Sequence, residues 1–77
     1  MNAGTYASAT LERQDGMGGT HITPLYHVSI NVFASGMVAI THYHNGVKSP
    51  ENKMTIFLPV NNIVCLVADG YAHQNKE

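Results

Sequence analysis

Tryptophan is missing from this 77-residue chain, cysteine occurs once, and charge is scarce. A lone Cys65 cannot close an internal disulfide, and no Cys/His spacing matches a structural zinc module. Charged residues make up 12% of the chain against 44% hydrophobic, a thin supply for a small protein with so much surface. A domain of this size buries only about 60% of the surface its unfolded chain exposes. With neither staple nor metal to supplement that core, association with further copies of the chain is the expected remedy. A homo-oligomer is therefore expected.

Positive charge of any density is lacking as well. Arg13, Lys48, Lys53 and Lys76 are scattered and the net charge is −1, so there is no basic patch for a polyphosphate backbone and long DNA or RNA is excluded as a partner. No window approaches the roughly 18 apolar residues of a spanning helix, and residues 1–15 carry neither a positive cluster nor an apolar run. The expectation is a cytoplasmic protein with no membrane partner. Histidine, by contrast, is plentiful: five residues, at His21, His27, His42, His44 and His73, with only His42 and His44 close together.

The regular pattern centres on residues 26–44. Val28, Ile30 and Val32 alternate with His27, Ser29 and Asn31; beyond Ala34-Ser35-Gly36, Val38, Ile40 and His42 alternate with Ala39, Thr41 and Tyr43. Period 2 on both sides of a short loop predicts a β-hairpin. A three-residue loop pairs Val32 with Val38, Ile30 with Ile40, Val28 with His42 and Tyr26 with His44, keeping apolar residues on one face. A two-residue loop would mix the faces. The first register also puts Gly36 where a left-handed residue is required.

Asn45-Gly46 is a strong hairpin dipeptide, yet a tight turn there would strand the apolar run from Met54 to Leu58 beyond the sheet. Residues 45–52 therefore read as a long polar loop, with Met54, Ile56 and Leu58 opposite His42, Ile40 and Val38. Pro59-Val60-Asn61-Asn62 reads as a turn with proline at its first central position. The run Ile63–Ala68 is apolar at every position, as in a strand covered on both faces, and a partner subunit is the expected second cover. Upstream, residues 5–14 fit a strand, with a short helix as the alternative; the glycines of residues 15–19 make a loop. Pro24 argues for an edge or a bend. Residues 71–77 read as a polar tail. The whole is one domain, 1–77.

The stretch Phe57-Leu58-Pro59-Val60-Asn61-Asn62-Ile63-Val64 resembles the close of SH3-like barrels, where a strand ends at Leu-Pro, makes one tight turn and re-enters as a short strand opening on an aliphatic residue. Sm-like barrels are similar in the same loose sense. The paired tryptophans and acidic-aromatic motif of peptide-binding SH3 domains have no counterpart, so their proline-rich ligand does not carry over. The expected fold is all-β: a small SH3-like or Sm-like barrel, or a curled antiparallel sheet, of four to five strands.

Candidate sites follow from that register. Tyr26, His42 and His44 end an otherwise aliphatic face and could stack on a planar ligand or donate to an anion; equally, they could plug the end of a barrel. His42 and His44 project from one strand face at roughly 6.5 Å, but zinc needs further ligands, available only from His21, His73 or Asp69 by an undetermined approach, so no metal site is assigned. Gly18 and Gly19 could offer backbone N–H groups to a phosphate, though the lysine and spacing of a P-loop are missing. Ser8, Ser29, Ser35 and Ser49 have no signature pairing them with a histidine, and Cys65 sits in the most apolar run; no catalytic residue or cofactor is assigned. The expected function is non-enzymatic binding of a small planar or anionic, nucleotide-like ligand near Tyr26, His42 and His44. The alternative is a protein-interaction module or inhibitor acting through Phe33, Met37 and Tyr43. Val64 and Leu66 are the expected subunit interface.

Overall fold

The computed structural model describes residues 3–68 and, through their backbone only, 71–74. Six strands form a single antiparallel sheet: β1 (Gly4–Gln14), β2 (Thr20–Val32), β3 (Met37–Tyr43), β4 (Lys53–Pro59), β5 (Ile63–Ala68) and β6 (Tyr71–Gln74). Their order across the sheet is β4-β3-β2-β1-β5-β6, so β4 and β6 are its edges. The expected curled antiparallel sheet is thus what forms. Its sixth strand lies in the stretch read as a polar tail: Tyr71–Gln74 pairs with β5 from Ala68↔Tyr71 to Cys65↔Gln74.

Alternation alone sets the register of the central meander. Val32 faces Val38 and Ile30 faces Ile40; Val38, Ile40 and His42 face Leu58, Ile56 and Met54, all as the apolar pattern requires. Phe33 N–H donates to the Met37 carbonyl at 2.9 Å, leaving Ala34, Ser35 and Gly36 as the three loop residues expected, and Gly36 N–H donates to the Phe33 carbonyl at 3.0 Å, with Gly36 at φ 87°, the left-handed region a Cβ disfavours. Asn45 and Gly46 also adopt left-handed values, φ 57° and 72°, and Val47 N–H closes their turn on the His44 carbonyl at 3.3 Å. The dipeptide makes its turn without joining strands, since a second turn at Pro50–Asn52 intervenes before β4.

The long β1–β2 hairpin carries a different partner at each end. Near its turn, β1 residues Ala9 to Arg13 pair with β5; at the far end, β2 residues Ser29 to Val32 pair with β3. Pro24 sits where β3 does not reach, so its missing N–H costs no ladder bond on that side. The hairpin changes face between these ends. Leu25 and Val28 are both fully buried although three residues apart, and Ala9 and the partly buried Tyr6 both pack on the core. The flip is centred on His27 at φ 53°, a conformation worth of order 1–3 kcal/mol of strain for a side chain within a strand.

A bulge does the same on β5. Glu12 pairs with Cys65 but Arg13 with Ile63, leaving Val64 as the extra residue. Ile63 and Leu66 consequently both reach the core, each fully buried, with Ala68 beside them. This corrects the assignment of Leu66 to a subunit interface: the protomer buries it, opposite Leu11. β5 is an interior strand between β1 and β6, and the bulge sends Ile63, Leu66 and Ala68 into the core while Val67 stays 47% exposed. At the resembling stretch, β4 closes on Pro59, a single turn spans Val60–Asn62 and β5 opens on Ile63. Proline stands just before that turn, at φ −62°, rather than inside it.

Candidate functional site

Tyr26, His42 and His44 do come together, but not through the expected pairing. The β2–β3 ladder ends at Ser29↔Thr41, so the pairs Val28–His42 and Tyr26–His44 do not form; the left-handed His27 has turned the chain away. Tyr26 instead meets the turn after β3, where a Cβ on Gly46 would lie 3.6 Å from its Cγ. Together with Thr23, Pro24 and Tyr43, the three predicted residues line a hollow of about 320 Å³. Partial burial and the neighbouring His44 hold the His42 pKa below its usual 6.5, so this hollow favours a neutral ring over a cation. Among the described residues there is no group of three His, Cys, Asp or Glu able to hold a metal ion; His73 and Asp69 lie outside the described side chains.

Gly18 and Gly19 are elsewhere. They belong to the β1–β2 turn and line a separate hollow with Gln14, Thr20 and Val64. Of the two N–H groups expected to serve an anion, that of Gly19 is engaged by Asp15, whose Oδ1 accepts it at 3.1 Å and the N–H of Met17 at 2.7 Å. These bonds hold the Asp15 pKa below 3.8. A phosphate arriving there would meet the Asp15 carboxylate, which repels it.

A larger groove of about 570 Å³ lies on the other face of the meander, where the sequence pointed only to an interaction surface. Register arranges that face in ranks. Thr5, Ser29, Thr41 and Thr55 stand side by side across four strands, with 3.1 Å between the Thr41 and Thr55 Oγ1 atoms. The rank toward the long loop holds Tyr43 opposite Lys53, and the Tyr43 ring meets His27 edge-on, centroids 6.1 Å apart at 76°. Lys48, from the loop, joins Lys53 in lining the groove, and among the described residues no carboxylate does. The rank at the other end sets Asn31 and Phe57 on either side of Ala39, with the apolar Phe33 and Met37 beyond.

Sequence reasoning singled out Tyr43 and placed His27 correctly on this second face, but missed Lys48, Lys53, Ser29 and Thr41 as site residues. The register that predicted Met54 opposite His42 also places Lys53 opposite Tyr43, so that part was within reach; Lys48 was not, because its position depends on the path of the loop. No family model, no curated protein and no solved structure matches the chain.

Proposed function

We propose that the chain is a non-enzymatic binding protein for a small anionic ligand, held in the groove between Lys48, Lys53 and the His27–Tyr43 pair. One observation carries the reading: two of the chain's four Lys and Arg residues line one hollow of about 570 Å³, beside hydroxyl side chains and, among the described residues, without an acidic group. Lysine is a common point-charge partner for phosphate, and the volume lies in the range of about 300–1,000 Å³ usual for small-ligand sites. The Tyr26, His42 and His44 hollow is smaller and supplies no fixed positive charge, so the anionic end of the ligand belongs in the groove. Tyr43 lines both.

The test is a thermal-shift and histidine-NMR screen against phosphate, phosphorylated metabolites and carboxylates. A stabilising anion that perturbs His27 and loses its effect in Lys48→Gln/Lys53→Gln supports the reading; a flat response across the panel removes it.

A second reading keeps one observation of its own. Phe33 is 47% and Phe57 65% exposed at the far end of the same face, a composition suited to a protein interface, another copy of the chain included. Self-association is part of the proposal, and β4, at an edge of the sheet, offers an open ladder for it. Sedimentation showing a monomer at all accessible concentrations would refute it, and loss of a stoichiometric partner in Phe33→Asp would favour a protein target.

A further inference from the structure

We infer that the ligand class of this groove is a phosphate monoester bearing a flat heterocycle, a nucleoside monophosphate, with His27 and Tyr43 receiving the ring. The inference rests on the anion reading above and adds what the other end of the ligand must be. In an edge-on pair such as His27–Tyr43, the ring presenting its edge keeps its faces uncovered by its partner, free for a third flat ring. Lys53 is on β4, Tyr43 on β3 and His27 on β2. Lys53 pairs directly with Tyr43, and the His27 ring lies 6.1 Å beyond the Tyr43 ring, so one groove sets the positive charge beside the aromatic pair, as a phosphate joined through a pentose to a base requires. In the adjacent rank lie the hydroxyls of Ser29 and Thr41, neutral groups able to donate to and accept from sugar hydroxyls.

The backbone supplies an independent indication. His27 holds φ 53° in mid-strand, where glycine would be free of strain, and such conformations concentrate at ligand clamps. The same residue lines the groove and meets Tyr43 edge-on. A chain of many phosphates is unsuited to a protein of net charge −1, whereas one phosphate matches two lysines.

The experiment is calorimetric titration of the full chain with AMP, ribose 5-phosphate and adenosine, repeated on His27→Gly, His27→Asn and Lys48→Gln/Lys53→Gln, with a melting curve for each. AMP should bind at least about tenfold more tightly than either half-molecule. His27→Gly should melt higher, by roughly 4–8 °C, yet lose AMP affinity by about tenfold or more while ribose 5-phosphate binds as before. His27→Asn, which tolerates the same φ, should keep the fold and show the same selective loss. The lysine double variant should lose both phosphate compounds. Ribose 5-phosphate binding as tightly as AMP, or AMP binding undiminished in both His27 variants, would overturn the heterocycle assignment and leave the anion site standing. If no phosphate compound binds, both readings fall.

Discussion

Leu66 offers the sharpest test of how the bulge on β5 partitions the apolar run. The side chain is fully buried within the protomer and lies across the ladder from Leu11. Truncation to Ala removes three heavy atoms from a packed layer and leaves a cavity, a change that costs about 2–5 kcal/mol. At about 0.05–0.15 kcal/mol per residue, the whole chain holds roughly 4–12 kcal/mol, so Leu66→Ala spends a large fraction of it. With a urea m-value near 1 kcal/mol/M for a small domain, the midpoint should fall by about 2 M or more. Val67→Ala, on the same strand but 47% exposed, should change stability by no more than about 0.5 kcal/mol. The assay is equilibrium urea unfolding followed by circular dichroism, at high concentration and at a dilution where any oligomer has dissociated. A core residue costs the same in both. A Leu66→Ala effect that vanished on dilution, or stayed under about 0.5 kcal/mol, would refute the protomer-core assignment and restore the interface.

Gly36→Ala meets open space, since nothing lies within 4 Å of the added Cβ, so its cost is purely the left-handed backbone, about 1–2 kcal/mol; Gly36→Asn should cost less, and the two melting temperatures decide it. Asp15 has a folded pKa lowered by the Met17 and Gly19 N–H bonds. Its contribution is therefore present above the unfolded value near 3.8 and lost as pH falls through the lower folded value. The Met17 and Gly19 amide shifts should follow that titration and cease to do so in Asp15→Asn. His42 is a base whose folded pKa is also lowered, by burial and by His44. The fold thus opposes its protonation, and stability should decline as pH drops from about 6.5 toward the folded pKa. Thermal melts across that window should flatten in His42→Asn; an unchanged slope would show that His42 does not set it.

The meander from β2 to β4 was legible because every local rule agreed: period 2 on three strands, Gly36 where the loop needs a left-handed residue, and an apolar run in β4 that only a long preceding loop could bring into register. Two residues defeated the same rules elsewhere. His27 reverses the face of β2, so Tyr26 stands 43% exposed and Leu25 takes the core position; histidine carries no parity signal for such a flip. Val64 reverses β5, and an aliphatic residue within an aliphatic run looks no different when it is the extra one. The site was half legible for the same reason. Tyr26, His42 and His44 share a hollow, as expected, but the cations gather on the opposite face, where a rank of four hydroxyl residues from separate strands becomes visible only once the strands are paired.

The pairing of β1 with β5 has a kinetic meaning. Every other pairing in the sheet joins strands that follow one another in the chain, whereas this one brings Ala9 to Ala68. Local hairpins close quickly, and the entropy of closing so long a segment must be met before β5 gains any contact. The four strands from β1 to β4 should therefore assemble first, and the β5–β6 hairpin should dock onto β1 late, sealing Leu11 and Leu66 from water in the last step. A residue buried only in that step slows unfolding and leaves refolding untouched. The seam between β1 and β5 is thus where the lifetime of the folded state is set.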